Sequence, residues 1–280
     1  QAAGLNDSGA FPYLRSHPLT TERLADMQAR QQLSNTSPKA PTDMAQAMLA
    51  ARARVLSQNS PDALKAWTQD AESAIGTSPA QKAGALYAAT LAHLQMRHMA
   101  AADRTLKALG QWVASSHTES PTSLAAQRWL RLLSAEVAFK QDRFEAVLTT
   151  LMPNAGPVAL QRPELLAVAQ ALLRLPRHPL QADITRQLRS LVQQAPNDAQ
   201  AWQSLAGLLS LQGQALASLR AEGEAQIARL DWSGAIDRLR AAQDLARQGR
   251  LQAGDHIEAS IVDTRLRQAQ DRLRALQTPR

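Results

Sequence analysis

Prolines divide this sequence into stretches of helical length, and this spacing limits the fold more than any other feature does. Outside the linker at 34–42, three of these prolines follow a serine, at Ser60-Pro61, Ser78-Pro79 and Ser120-Pro121. A serine caps the start of a helix well and a proline fits the first helical turn, so each pair predicts a helix start. The stretches between prolines are rich in Ala, Leu, Gln and Arg, which favour helix. The sequence therefore predicts an all-α fold.

The predicted helices follow one another with short connections, apart from a linker of polar and proline residues at 34–42. Short connections favour antiparallel neighbours, so we expect helical hairpins stacked in chain order. The helices are predicted at residues 21–33, 43–57, 61–75, 80–95, 99–115, 122–140, 143–152, 163–175, 180–194, 198–212, 214–229, 231–248 and 254–277.

Three of the predicted hairpins carry the pattern of a tetratricopeptide repeat, in which small residues let two helices cross closely. The stretch PNDAQAWQSLAGLLSLQG matches the first helix of such a repeat, and the two further matches lie at 134–151 and 86–109. In the second, Phe144 begins a helix beside the small residues Ala135 and Ala138. This pattern predicts a tetratricopeptide-like helical-hairpin solenoid, an α–α superhelix, over residues 43–280. It also predicts that Trp202, Leu205, Leu209 and Phe144 are buried.

The composition excludes several classes of protein. The chain has no cysteine, so disulfides and thiolate zinc sites are absent, and no apolar stretch is long enough to span a membrane. The net charge is +7, but the arginines are scattered along helices beside acidic residues and without interleaved aromatics. Solvated helix faces explain this pattern better than a nucleic-acid site does.

The search for catalytic residues and metal ligands gives none in this chain. The sequence contains no HExxH, GxSxG, phosphate-binding loop or dinucleotide-binding motif. His93 and His98 are five positions apart and are expected on different helix faces. The tryptophans occur once or twice per hairpin, which favours a role in core packing. These observations predict a protein that binds partners through its surface.

One segment near the start of the chain is unlike the rest. FPYLRSHPLTTERLADM, from Phe11 to Met27, resembles the stretch that ends the peptidase domain in the BepA family of periplasmic zinc metallopeptidases, the β-barrel assembly-enhancing proteases. In that family it joins the catalytic domain to a C-terminal tetratricopeptide array. MLAARARVL and the stretch from Arg220 to Gln252 resemble the first and the closing helices of that array. The matching residues near the start are Leu14, Ser16, His17, Pro18, Leu19 and Arg23.

The resemblance implies three parts: the tail of a peptidase domain at 1–33, a linker at 34–42 and a repeat array at 43–280. The chain would then be the non-catalytic, protein-binding region of a periplasmic metalloendopeptidase. Its partners would be unfolded client proteins or the β-barrel assembly machinery of the outer membrane. Zinc would belong to a catalytic domain before Gln1, and the chain, which opens without methionine, would be a processed or excised segment.

The resemblance also gives His17 a candidate role. A neutral imidazole can occupy the open position of a catalytic zinc, so our hypothesis is that His17 approaches the zinc of the intact protein and restrains it. The alternative is an ordinary histidine in an exposed loop.

The predicted last helix carries a second candidate site. Leu266, Ala269, Leu273 and Leu276 follow helical spacing and are expected to pack on the preceding helix. Arg267 and Arg274 lie on the flanking faces, where they either bind an acidic partner or pair with Asp263 and Asp271. Exposed pairs contribute little to stability, and this favours the pairing interpretation.

A second interpretation of the whole chain stays open. A tetratricopeptide adaptor or scaffold protein with no enzyme attached would show the same helices and the same lack of catalytic motifs. An HExxH motif upstream in the reading frame supports the metallopeptidase, whereas a start codon just before Gln1 supports the adaptor.

Overall fold

The described part of the chain consists of α-helices and the turns that join them. The computed structural model describes residues 25, 29, 30, 43–73, 78–115, 121–152, 160–248 and 255–277. In the first compact unit, Gln1–Thr42, the three described residues are helical. In the second unit, Asp43–Arg280, the described residues form twelve α-helices and no strand. The predicted all-α fold is confirmed.

The twelve helices agree closely with the prediction for residues 43–280. The largest difference is at the seventh, which ends at Leu172 and not at the predicted residue 175. The helices are α1 (Met44–Ser57), α2 (Pro61–Ser73), α3 (Pro79–Gln95), α4 (Met99–Ser115), α5 (Pro121–Lys140), α6 (Phe144–Leu151), α7 (Arg162–Leu172), α8 (Gln181–Gln194), α9 (Ala199–Leu211), α10 (Ala215–Ala228), α11 (Trp232–Arg247) and α12 (Asp255–Gln277).

Side chains of the predicted type cap several of these helices. Ser78 accepts a hydrogen bond from the backbone of Gln81, and the Gln81 side chain accepts one from the backbone of Ser78. Such reciprocal bonds satisfy two backbone donors that a helix start leaves open. Aspartates cap three other helices, namely α1, α9 and α11.

Four turns between helices share one geometry. In each, the residue after the last helical turn has a positive φ, and the next backbone N–H donates to the carbonyl five residues earlier. This arrangement satisfies the open carbonyls of a helix end and normally favours glycine. Only one of the four left-handed residues is a glycine; they are Arg97, Asp142, Gly213 and Leu230. The same tight turn therefore joins α3 to α4, α5 to α6, α9 to α10 and α10 to α11.

Consecutive helices pack as antiparallel hairpins. Trp112 near the end of α4 donates to the carbonyl of Pro79 at the start of α3 over 3.0 Å. Midway along the same pair, the hydroxyls of Thr90 and Thr105 are 2.9 Å apart. A hydrogen bond also joins the antiparallel helices α9 and α10, since the Ser218 hydroxyl donates to the carbonyl of Ala206.

Several helices also contact the helix after the next one in the chain. These pairs are α1 with α3, α3 with α5, α5 with α7, α7 with α9 and α10 with α12. The polar contacts between them recur at similar separations. Arg128 with Glu164, and Arg162 with Asp198, are each 36 positions apart, and Gln170 with Ser204 are 34 apart. The starts of α5, α7 and α9 thus lie beside one another in turn.

The apolar core forms three clusters along the chain. One lies between α1 and α5, one between α5 and α10, and one between α10 and α12. Trp202, Leu205 and Leu209 are buried in the second cluster, as predicted. Phe144 is only half-buried, contrary to the prediction, because it is the first residue of α6 and packs edge-on against Phe139 at the surface.

The predicted stripe on α12 is correct for Leu266 and Ala269, which are buried, and Leu273 is partly buried. It is wrong for Leu276, which is 70% exposed. A hydrogen bond between Gln243 and Asp263 fixes the antiparallel register of α11 and α12. Counting outward from this bond places Leu276 beyond Trp232, the first residue of α11, so the last turn of α12 has no helix to pack on.

Candidate binding groove

A cavity of about 470 Å³ opens between the odd-numbered helices and is the candidate site. Its volume is typical of pockets that bind small ligands or a few side chains. Side chains from α1, α3, α5, α6, α7 and α9 line it. We call this cavity the groove, and its larger apolar side chains are Trp129, Leu132, Phe139, Val147 and Leu166.

Helical spacing explains why these side chains share one wall. On α5, Trp129, Leu132, Glu136 and Phe139 are three or four positions apart, so they project from a single face of the helix. On α7 the lining residues have the same spacing, from Pro163 through Leu166 and Ala167 to Gln170. Because α5 and α7 pack side by side, their two stripes form one continuous surface.

A polar contact joins α1, α3 and α5 at the groove. The Arg52 guanidinium lies 2.6 Å from a carboxylate oxygen of Glu136 and 3.4 Å from the hydroxyl of Tyr87. Burial disfavours the charge of Arg52, but the bond and charge of Glu136 outweigh it, so the pKa of Arg52 lies above its usual value. Tyr87 is 1% exposed, and burial raises the pKa of its hydroxyl. Arg52 therefore stays charged and ties together helices that are far apart in sequence.

A second polar contact crosses from α7 to α9. Arg162 donates two hydrogen bonds to the carboxylate of Asp198, over 2.5 and 3.0 Å, and also lies 3.5 Å from the amide oxygen of Gln200. Asp198 also caps α9 by accepting from the backbone of Ala201. Arg162 and Gln200 line both the groove and an adjoining cavity of about 670 Å³ at the α8–α9 turn. The two cavities therefore meet at Arg162.

Two carboxylates near the groove are held charged by arginines. The hydrogen bond from Arg162 lowers the pKa of Asp198 against the opposing effect of burial. Burial alone would raise the pKa of Glu164, but bonds from Arg128 and from the backbone outweigh it, and that pKa lies below its usual value. Arg128 lies 2.8 Å from Glu164 and joins α5 to α7.

These lowered pKa values predict acid sensitivity. A carboxylate with a lower pKa in the folded state adds stability above its unfolded pKa, near 4.5 for Glu164 and 3.8 for Asp198, and loses it as pH falls through the folded value. We expect the free energy of unfolding, measured in urea, to fall as pH drops below about 4.5.

The matched variant is Asp198→Asn, which keeps the helix cap because asparagine caps as well as aspartate does. It should be less stable than the wild type at pH 7 and should lose less stability on acidification. An equal loss in both proteins would show that the Arg162–Asp198 pair contributes nothing to the acid response.

Of the candidate residues predicted from sequence, the two that the structure describes lie away from the groove. His17 lies outside the described residues. Arg267 and Arg274 are exposed on α12, away from the groove: Arg267 donates to the backbone carbonyl of Asp263, and Arg274 pairs with Asp271. The nearby Arg265 is different, since it bonds the buried carboxylate of Glu224 on α10. A role for Arg267 and Arg274 in partner binding stays a prediction.

The two histidines of the α3–α4 turn depart from expectation. His93 and His98 were expected on different helix faces, yet their rings lie 6.1 Å apart. α3 ends at Gln95, and the left-handed Arg97 turns the chain back so that His98 faces the helix end. Among the described residues no group of three or more His, Asp or Glu side chains is placed to hold a metal ion.

Sequence reasoning missed the groove residues themselves. Arg52 and Glu136 are 84 positions apart, and no local pattern connects them. Trp129 was interpreted as a core residue, and the only signal against this was Glu136 on the same face of α5. Glutamines 170 and 200 carry no signal at all in a chain so rich in glutamine.

No protein-family model matches this sequence, and no curated protein is significantly similar to it. Of the helices that the structure describes, none combines the length and the apolar character needed to cross a bilayer. The groove and its contacts are therefore the basis for a function.

Proposed function

We propose that residues 43–280 form a tetratricopeptide-like solenoid whose groove binds a segment of another protein. The observation that carries this proposal is the groove itself, an apolar cavity lined by every odd-numbered helix from α1 to α9. The contacts at separations of 34 and 36 positions support a repeating arrangement, as do the four turns of one geometry. A surface built in this way suits an extended polypeptide.

The wider proposal is that this chain is the non-catalytic region of a periplasmic zinc metalloendopeptidase. The resemblance of Phe11–Met27 to the end of that family's peptidase domain supports it. The groove would hold a client protein, or a component of outer-membrane protein assembly, near a zinc site in the catalytic domain. Sequencing the reading frame upstream of Gln1 tests this: an HExxH motif is expected, and a start codon just before Gln1 would favour the free-standing adaptor.

Filling the groove tests the binding proposal. Ala167 is half-buried and lines the groove beside Leu166, so Ala167→Trp places a bulky ring where a bound segment would lie. We expect this variant to bind a dye-labelled, permanently unfolded model protein at least about tenfold more weakly than the wild type, by fluorescence anisotropy.

The matched control is Ala241→Trp on the exposed face of α11, outside the groove. It should bind as the wild type does. Equal affinities for all three proteins, with unchanged helicity by circular dichroism, would contradict the proposal.

The zinc hypothesis for His17 is tested separately, in the intact protein. If His17 restrains the zinc, His17→Ala should cleave a model substrate faster than the wild type does. Unchanged cleavage and unchanged zinc affinity would make His17 an ordinary loop residue.

A further inference from the structure

We infer that the groove selects an extended segment without charged side chains. This inference rests on the proposed function and specifies the chemistry of the segment that the groove binds. The chain carries a net charge of +7, and this alone would suggest an acidic partner. The lining of the groove leads to a different partner.

The charged side chains along the groove and the adjoining cavity form two pairs. Arg52 bonds Glu136 over 2.6 Å, and Arg162 bonds Asp198 over 3.0 Å. These four are all the charged residues that line the two cavities in the described part of the chain. The lining is therefore electrically neutral.

A charged side chain gains nothing from such a lining. It would lose its hydration on entering the apolar cavity, and each opposite charge is already engaged. A carboxylate brought to Arg52 or Arg162 would be repelled by Glu136 or Asp198, and a cation brought to either acid would be repelled by the arginine. An uncharged segment meets neither cost, and its apolar side chains can contact Trp129, Leu132 and Leu166.

Two glutamines on neighbouring helices offer hydrogen bonds to the main chain of that segment. The amide nitrogen of Gln170 donates to the hydroxyl of Ser204 over 3.3 Å, which leaves its oxygen to accept. Gln200 is complementary: its oxygen faces Arg162, which leaves its nitrogen to donate. A peptide main chain presents one donor and one acceptor per residue, so it matches both without any charge.

Three labelled peptides of about ten residues test this inference by fluorescence anisotropy. The first alternates Val with Ser or Thr, and the other two carry Asp or Lys at two central polar positions. We expect the neutral peptide to bind at least about tenfold more tightly than either charged one. Its affinity should also stay the same as the salt concentration is raised.

Variants of the protein make the test specific. Gln170→Ala combined with Gln200→Ala should weaken the neutral peptide about tenfold, whereas Gln127→Ala, an exposed glutamine of α5 outside the groove, should not. Glu136→Gln leaves Arg52 without its carboxylate and should improve binding of the Asp peptide. Asp198→Asn, which keeps the α9 cap, should do the same through Arg162 if Glu136→Gln fails to fold.

The outcomes separate the inference from the function on which it rests. Tightest binding of the Asp or the Lys peptide to the wild type would overturn the neutral selection and leave the groove as a binding site. If none of the three peptides binds, the inference and the proposed function both fail.

Discussion

We expect replacement of Trp202 with alanine to lower the free energy of unfolding of this protein by about 3–5 kcal/mol. Trp202 is 7% exposed and belongs to the core cluster between α5 and α10. Its indole nitrogen donates to the carbonyl of Pro196 over 2.9 Å, and Arg220 lies over its ring. The variant therefore leaves a large cavity and loses this hydrogen bond. Urea unfolding monitored by circular dichroism gives the measurement.

Trp232→Ala is the matched control. Trp232 is the first residue of α11 and is only partly buried against the α10–α12 cluster. Its replacement should cost clearly less than that of Trp202. Equal losses for the two tryptophans would contradict the packing described around α9.

Gly84→Leu is the second substitution with a large expected effect, a loss of about 3 kcal/mol. Helix α3 approaches α1 so closely at Gly84 that an added Cβ would lie 3.1 Å from the backbone oxygen of Ala47. A backbone atom cannot rotate away, so a larger side chain must push the two helices apart. Since Arg52 on α1 and Tyr87 on α3 both line the groove, this variant should also weaken binding of the unfolded model protein.

Gly110 on α4 provides the contrasting position. An added Cβ there meets only a side-chain methyl of Leu130 at 3.9 Å, which is an ordinary contact. Gly110→Ala should stabilise the protein by up to about 1 kcal/mol, because alanine favours helix more than glycine does. A stabilising Gly84→Leu, or a strongly destabilising Gly110→Ala, would show that the close approach of α1 and α3 is misplaced.

The helices of residues 43–280 were predictable because their signals are local. Ser78 caps α3 through residues within one turn, and the proline that follows it fits that turn. The burial of Trp202 and Leu205 was predictable too, since a tetratricopeptide pattern relates them to neighbours on the same helix. Leu276 shows the limit of this reasoning. It has the helical spacing of the buried residues on α12. Whether another helix lies beside it depends on how α11 and α12 are aligned along their lengths, and the spacing does not reveal this.

The groove was beyond sequence reasoning for the same reason. Trp129 and Trp202 follow similar helical patterns, yet one lines an open cavity and the other fills the core. They differ in their surroundings, since α1 packs against α5 and brings Arg52 to Glu136 in the lining to which Trp129 belongs. Contacts between residues so far apart leave no mark on local spacing. Only the three-dimensional arrangement identifies the residues that a partner would meet.

The most direct measurement of the central claim is the site at which a bound segment contacts the protein. The neutral peptide can carry a photoreactive benzophenone side chain at its centre, and mass spectrometry can identify the residues that it labels. The groove predicts labelling of α5 and α7 around Leu132, Leu166 and Ala167, and loss of that labelling in Ala167→Trp. Labelling concentrated on α12 around Arg267 and Arg274, with none on α5 or α7, would contradict the account.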